Sequence, residues 1–182
     1  MDLATEFTKV LAISTVLGNL VALMIFTLFI FTRPAYERIM DRIGAHASAI
    51  GFFIAALSTI GSLLYSEVVG YPACILCWTQ RIFMYPQMFL FGLALWRRER
   101  MIAPYAFLLS LLGGAVALYQ WVKDMLLLYG HTTIPCPAVT GLPSCDRIYV
   151  QEFGYVTIPM IALNAFILLL LVTRAAMRKR AH

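Results

Sequence analysis

The chain contains four cysteines, which fall into two pairs with different surroundings. Cys74 and Cys77 form C-I-L-C at the start of a long apolar stretch, and Arg81 follows them inside that stretch. Cys136 and Cys145 lie in a polar loop rich in proline and glycine. Cysteine pairs exchange between dithiol and disulfide when a thiolate attacks a disulfide sulfur. The pattern therefore predicts dithiol–disulfide chemistry coupled to something in a lipid bilayer.

The C-I-L-C pair is predicted to lie at the amino terminus of a helix, because Pro72 precedes it and proline favours the first helical turn. Exposed N–H groups and the helix macrodipole stabilise a thiolate there. Cys74, Cys77 and Arg81 follow the spacing i, i+3, i+7 and are expected to share one face. An arginine in a membrane is costly without a partner, so a thiolate or the oxygens of a reducible ligand is expected beside it. The alternative is an arginine that snorkels and only stabilises helix packing.

The second pair is expected to form an accessible disulfide. Eight residues separate Cys136 from Cys145, and prolines and a glycine restrict the backbone around them. Such a loop suits a disulfide that the thiolate of another protein attacks. The alternatives are an inert disulfide that holds a loop and a zinc site of four cysteines. The charge of Arg81 opposes a cation at C-I-L-C, so no metal is predicted, and spacing alone does not choose among the three pairings.

The composition indicates a membrane protein. With 62% hydrophobic and 13% charged residues, the chain has more apolar side chains than a soluble domain of 182 residues can bury. Its long neutral runs have roughly the 20 residues that cross ~30 Å of hydrocarbon as a helix, and lipid offers an open strand no hydrogen-bond partners. Five runs are present: Val10 to Thr32, Ala47 to Ser66, Tyr71 to Trp96, Met101 to Val122 and Phe153 to Thr173.

The basic residues predict the orientation of these helices. Ten of them lie after the first run, between the third and fourth runs, or in the tail. Three lie in the regions that alternate with these, at the amino terminus and between the fourth and fifth runs. Arg81 lies within a run and is not counted. The positive-inside rule therefore puts the amino terminus outside and the carboxyl terminus in the cytoplasm. The net charge of +5 indicates contact with anionic lipid, and no nucleic-acid module is recognised. All four cysteines are then at the outer surface, where disulfides persist.

The predicted fold is an all-α membrane protein with five spans. Residues 47–173 are expected to form a four-helix antiparallel transmembrane bundle that carries the redox centres. Residues 1–46 are expected to add one transmembrane helix and a cytoplasmic linker, and residues 174–182 a basic cytoplasmic tail. Because Asp2 and Glu6 replace the basic start of a signal peptide, the first helix is expected to be retained.

The cysteine motifs and their flanking segments resemble a known family. The element C-I-L-C-W-T-Q-R, from Cys74 to Arg81, matches the C-x-x-C-x-x-x-R element of DsbB-type disulfide-bond-formation proteins, which are quinone-coupled thiol oxidases of bacterial membranes. The resemblance covers most of residues 47–173. The eight-residue spacing of the second pair is similar to the short-loop, BdbC-like branch, and the first helix has no counterpart in the four-helix core. The motifs that carry it further are G-S-L-L-Y-S-E at 61–67, R-I-F-M-Y-P at 81–86 and F-G-Y-V-T-I-P at 153–159.

The resemblance implies a role for each motif residue. A thioredoxin-fold thiol oxidase of the DsbA type would attack Cys136, and the released Cys145 would attack Cys74. Cys77 would then be a thiolate that faces a quinone, with Arg81 against the quinone ring. Family members often carry a histidine near the quinone; this chain has Gln120 in that region, which is a candidate quinone contact.

The predicted function is therefore that of a membrane thiol oxidase. It would re-oxidise the DsbA-type partner and pass two electrons to ubiquinone or menaquinone, from the outer face of the bacterial cytoplasmic membrane. One alternative is a reductase resembling vitamin K epoxide reductase, in which the loop cysteines come first along the chain rather than last. The other is a non-enzymatic membrane protein that uses its cysteines for metal binding or as an adaptor.

Overall fold

The computed structural model describes residues 3–99, 101–130 and 141–181. Cys136 lies outside these residues. The described residues form helices joined by short loops and contain no named strand, which confirms the predicted all-α fold. A π-helix, Leu64–Val68, directly continues the third helix. The α-helices are α1 (Leu3–Phe31), α2 (Arg33–Ala45), α3 (Ala47–Leu63), α4 (Ile75–Arg97), α5 (Ala103–Leu128) and α6 (Ile158–Ala181).

Helices α3 to α6 form the predicted four-helix antiparallel bundle. Gly51 near the start of α3 faces Phe91 near the end of α4, and a Cβ at Gly51 would lie 2.6 Å from the Phe91 ring. Neighbouring helices α3 and α4 therefore run in opposite directions. Ala47, Ala103 and Ala176 meet in one cluster, which brings the starts of α3 and α5 to the end of α6. The small residues allow the helix backbones to approach closely, as membrane bundles require.

The described helices are those of a multi-pass membrane protein. Four of them are long and apolar enough to cross a bilayer: Thr5–Phe31, Ala47–Val68 including the π-helix, Ala103–Leu128 and Ile158–Arg178. Helix α4 has 23 residues, about 34 Å, but it carries several polar side chains. The number of five spans and the orientation stay predictions.

Helix α1 lies outside the bundle and packs mainly along α6. Helix α2 was not predicted from the sequence. Within the segment expected to be a cytoplasmic linker, residues 33–45 form an amphipathic helix against α6. Tyr36 and Met40 pack with Ala175, and Arg178 lies 3.7 Å from the carboxylate of Glu37. A search for long apolar runs overlooks a short helix of this kind, because only one of its faces is apolar.

Among the helix boundaries that differ from the prediction, two affect the site. Helix α5 continues to Leu128, so Lys123, which was expected in the outer loop, is a buried helical residue. Helix α6 begins at Ile158 rather than at residue 153, because Phe153 and Gly154 have positive φ angles of 50° and 80° and form a turn. A bridge between Glu152 and Val156 closes this turn.

Candidate functional site

Cys74 and Cys77 lie at the amino terminus of α4. Cys74 is the N-cap residue, with extended backbone angles, and Cys77 belongs to the first helical turn. Both are free thiols, and their sulfur atoms are 3.3 Å apart. Cys74 is buried and Cys77 is half-buried. The first pair is therefore a contacting dithiol at a helix terminus, which is the position expected from the sequence.

The Gln120 side chain from α5 faces both sulfur atoms. Its Nε2 lies 3.5 Å from Cys77 Sγ and 3.6 Å from Cys74 Sγ. The Gln80 amide donates to Gln120 Oε1 at 2.7 Å, so the N–H groups of Gln120 point to the cysteines. An amide donor in this position stabilises a thiolate by a charge-assisted hydrogen bond. Gln80 was not singled out from the sequence, although it is a buried amide in an apolar helix beside Arg81.

The Arg81 guanidinium is held by α3. Its Nε donates to Ser62 Oγ at 3.0 Å, and its Nη2 donates to the Ser62 carbonyl oxygen at 3.1 Å. The guanidinium carbon also lies 5.1 Å from the centroid of the Trp78 ring. These neutral contacts hold the cation in the wall of the cavity that Cys77 also lines. The predicted action of Arg81 on a thiolate or a bound ligand stays a prediction.

Lys123 connects the end of α5 to the second cysteine pair. Its Nζ donates to the Cys145 carbonyl oxygen at 2.6 Å and to Asp146 Oδ1 at 2.8 Å. The lysine is fully buried, so these partners compensate the lost hydration of the ammonium group. The hydrogen bonds from Lys123 and from the Ser144 hydroxyl hold the pKa of the Asp146 carboxyl below its ordinary value. Cys145 is buried and disulfide-bonded.

Asp124 follows Lys123 and is also buried, with 4% of its surface exposed. It lines the same cavity as Cys74 and Cys145. Asp124 was not singled out from the sequence, and Lys123 was expected only as a charge in the outer loop. Adjacent charges at the end of an apolar helix were the signal for both residues, since such charges are costly in a membrane unless they are partnered.

One cavity of about 510 Å³ connects these groups. A set of polar and sulfur-bearing side chains forms part of its wall: Cys74, Cys77, Gln80, Arg81, Gln120, Asp124 and Cys145. Apolar side chains from α1, α3, α4 and α6 form most of the rest, among them Leu11, Leu57, Met84, Ile161 and Phe166. An apolar cavity with a few convergent polar groups suits a small, largely apolar ligand. The dithiol and Cys145 thus line the same cavity as Arg81 and Gln120.

Comparison with known proteins identifies the family. Residues 44–176 match the family described as disulfide bond formation protein DsbB, and this range includes α3 to α5, most of α6 and every site residue described above. The chain is 36% identical over 111 residues to a probable disulfide formation protein C 1 of Bacillus anthracis, covering 61% of this chain and 77% of that protein. It is 33% identical over 118 residues to disulfide bond formation protein C of Bacillus subtilis, covering 65% of this chain and 83% of that protein.

A third relative aligns with a longer part of the chain. The probable disulfide formation protein C of Halalkalibacterium halodurans is 33% identical over 132 residues, covering 72% of this chain and 93% of that protein. No solved structure matches the chain significantly. The free thiol pair and the disulfide-bonded Cys145 are the groups that a disulfide-forming protein requires, in agreement with the family match. The chain belongs to the DsbB family, as a multi-pass membrane protein with an oxidoreductase role in disulfide bond formation.

Proposed function

We propose that this protein re-oxidises a DsbA-type, thioredoxin-fold thiol oxidase and transfers the two electrons to membrane quinone. One observation carries the proposal. The free dithiol of Cys74 and Cys77 and the disulfide-bonded Cys145 line a single cavity, together with Arg81 and Gln120. Transfer of electrons from the second cysteine pair to the first, and from there to a ligand, would therefore need no large movement of helices.

The proposed reaction begins with both cysteine pairs oxidised. A thiolate of the partner attacks Cys136 Sγ, which breaks the Cys136–Cys145 bond and forms a mixed disulfide. The released Cys145 thiolate attacks Cys74 Sγ, which breaks the Cys74–Cys77 bond and leaves Cys77 as a thiolate. The second partner thiolate then attacks the partner's own sulfur in the mixed disulfide, and the partner leaves as a disulfide. The Cys136 thiolate so released attacks Cys145, which restores the second disulfide and frees Cys74.

At the stage that follows these steps, the two electrons would reside on the first pair, with Cys74 and Cys77 as a dithiol and Cys145 again in a disulfide. The Gln120 amide then stabilises the thiolate at either sulfur. Asp124, a buried carboxyl in the same cavity, is a candidate acceptor for a thiol proton.

The cavity fits a quinone. Its volume of about 510 Å³ is within the usual range for small-molecule sites, and its walls are mostly apolar. Arg81 and Gln120 supply N–H donors that would hold the carbonyl oxygens of the ring. A bound quinone would supply an acceptor for two electrons and two protons. The release of these electrons closes the Cys74–Cys77 disulfide and completes the cycle.

The basic residues support a site on the outer face of the bacterial cytoplasmic membrane. The ten basic residues after the first span, between the third and fourth spans and in the tail favour an outer position for the loops that contain the cysteines. A membrane-impermeant thiol reagent added to intact, reduced cells should therefore label Cys136, and should label Cys145 more slowly because it is buried. Labelling that requires an opened membrane would place the site on the other face and would exclude a partner outside the cytoplasm.

The central experiment is a coupled assay with purified protein. The protein is mixed with a reduced DsbA-type partner and a short-chain quinone, and partner thiols and quinone absorbance are followed together. We expect one quinone reduced per partner disulfide formed, and no quinone reduction by Cys77→Ser. Partner oxidation without quinone reduction would exclude quinone as the acceptor. Stoichiometric zinc with unreactive thiols would instead favour a metal-binding protein.

A further inference from the structure

We propose that α1 forms one wall of the quinone site and contacts the isoprenoid tail of the quinone. Nothing in the family match assigns a role to this helix, because the match begins at residue 44 and α1 ends at Phe31. The inference rests on the proposed function, because it assigns the cavity to a quinone. It goes further by assigning tail recognition to a segment outside the four-helix core.

One face of α1 lines the cavity. Phe7, Leu11, Ser14 and Thr15 are spaced as neighbours on one side of a helix, and all four contribute to the lining. Leu17, elsewhere on α1, is 57% exposed and is not part of the lining. The cavity is therefore closed by α1 on this side, and a bundle without α1 would open it to lipid.

The face that α1 presents to the cavity is effectively apolar. The hydroxyls of Ser14 and Thr15 both donate to the Leu11 carbonyl oxygen at 2.8 Å, so their hydrogen atoms are directed to their own helix. The polar groups that suit a quinone ring come from α4 and α5 instead, as Arg81 and Gln120. A ring held by α4 and α5 leaves its tail for the apolar surfaces of α1, α3 and α6. The lining extends from residue 158 to 168 of α6, a rise of about 15 Å.

Specific contacts hold α1 in this position. Near the cysteines, the Tyr65 hydroxyl donates to Thr8 Oγ1 at 3.2 Å in a buried contact. About 16 Å further along the helix, Asn164 Nδ2 donates to Asn19 Oδ1 at 2.6 Å. A Cβ at Gly18 would collide with the Asn164 amide, so a larger residue there would displace this amide. Polar pairs between membrane helices fix which faces meet, because an unpaired amide is costly in hydrocarbon. Helix α1 is therefore a docked element at a fixed rotation about its axis.

The first test measures contact rather than activity. The wild-type protein is illuminated with a quinone that carries a photoreactive azido group on its isoprenoid tail, and labelled peptides are identified by mass spectrometry. We expect label on the segment from Phe7 to Asn19 and competition by unlabelled quinone. Competed label confined to α3–α6 would exclude contact between the tail and α1.

The second test is kinetic and uses a matched pair of variants. Leu11→Trp places an indole in the cavity, whereas Leu17→Trp places the same group on the exposed side of the same helix. We expect Leu11→Trp to raise KM for a decyl-tailed quinone about tenfold and to leave partner oxidation by the second cysteine pair unchanged. Leu17→Trp should match the wild type. Equal quinone kinetics in the two variants would contradict the inference.

The outcomes separate this inference from the proposed function. If the wild-type protein reduces no quinone, the proposed function fails and the inference fails with it. If it reduces quinone but α1 is unlabelled and Leu11→Trp is unaffected, only the inference fails. Should Leu11→Trp not fold, as shown by loss of partner oxidation, the labelling of wild-type protein decides the question alone.

Discussion

The ammonium group of Lys123 lies 2.6 Å from the carbonyl oxygen of Cys145. This contact joins the end of α5 to the backbone of the second cysteine pair across 22 residues of sequence. A fully buried lysine is stable only with such partners, and its neighbour Asp124 lines the cavity that contains Cys74. Lys123 therefore holds the Cys145 backbone near the end of α5, and in the proposed reaction Cys145 attacks Cys74 from this position.

Lys123→Met is expected to slow transfer between the two pairs. The substitution removes the hydrogen bond from the ammonium group to the Cys145 carbonyl oxygen, at a cost of about 1–3 kcal/mol of stability. We expect formation of the mixed disulfide with the partner to continue, while reduction of the Cys74–Cys77 disulfide slows about tenfold. Rapid mixing, alkylation and mass analysis of each pair measure both steps. Lys9→Met, which removes an exposed pair with Glu6, is the control and should change neither. Equal rates in the two variants would show that Lys123 does not position Cys145.

The ion pair of Lys123 with Asp146 predicts a pH dependence of stability. The pKa of Asp146 is lower in the folded protein, mainly because of the hydrogen bond from Lys123. Its stabilising contribution is thus complete above the pKa of an unfolded aspartate, about 4, and is lost as the pH falls through the lower folded value. The difference in Tm between the wild type and Asp146→Asn should therefore be constant near neutral pH and narrow below pH ~4. A difference that widens in acid would reverse the sign and remove the ion pair as its cause.

Gln120→Leu is expected to impair electron transfer from the dithiol. A hydrogen bond to a charged group contributes about 1.5–3 kcal/mol, so quinone reduction should slow by roughly 10- to 100-fold. Gln80→Leu should have a smaller effect, because it removes only the hydrogen bond that orients the Gln120 amide. Gln87→Leu is the control, since this buried amide bonds to Ser110 and does not line the cavity. Stopped-flow absorbance of the quinone measures each rate. If the Gln87 and Gln120 variants are slowed equally, the effect is general to buried amides.

Substitutions of Arg81 should affect one half-reaction and spare the other. Arg81→Lys keeps the charge but loses the planar donor fork that binds Ser62, so it should be partly defective. Arg81→Met should be worse, with slow quinone reduction and unaltered exchange between the partner and Cys136. Ser62→Ala should reproduce a mild form of the defect. Each half-reaction is measured separately. Wild-type quinone kinetics in Arg81→Met would make Arg81 a packing residue.

The order of attack in the second pair predicts opposite effects of two substitutions. Cys136→Ala should abolish the stable mixed disulfide with the partner, because the attacked sulfur is gone. Cys145→Ala should leave Cys136 as a thiolate that attacks the disulfide of an oxidised partner, and the mixed disulfide so formed should accumulate because the resolving cysteine of the pair is missing. Non-reducing electrophoresis of partner and variant detects it. Accumulation in Cys136→Ala instead would reverse the two roles.

The helices of the bundle could be predicted from the sequence because each is a long apolar run, and membrane helices are specified locally by hydropathy. The N-terminal position of Cys74 and Cys77 could likewise be inferred from nearby residues. The partners of the site could not. Ser62 meets Arg81 across 19 residues, and Gln120 meets Cys77 across 43 residues. Such contacts depend on the rotation of each helix about its axis, which is set by packing against its neighbours and not by local spacing.

The burial of two cysteines limits which thiols in the surroundings can react with them. Cys74 is 5% exposed and Cys145 is 3% exposed. Thiol–disulfide exchange requires a thiolate to approach a sulfur directly, so burial slows attack on these two cysteines by small dissolved thiols. Low-molecular-weight reductants such as glutathione are therefore expected to react slowly at these positions. A docked partner protein would then be the preferred electron donor, and the electron acceptor in the membrane would be used mainly for that partner.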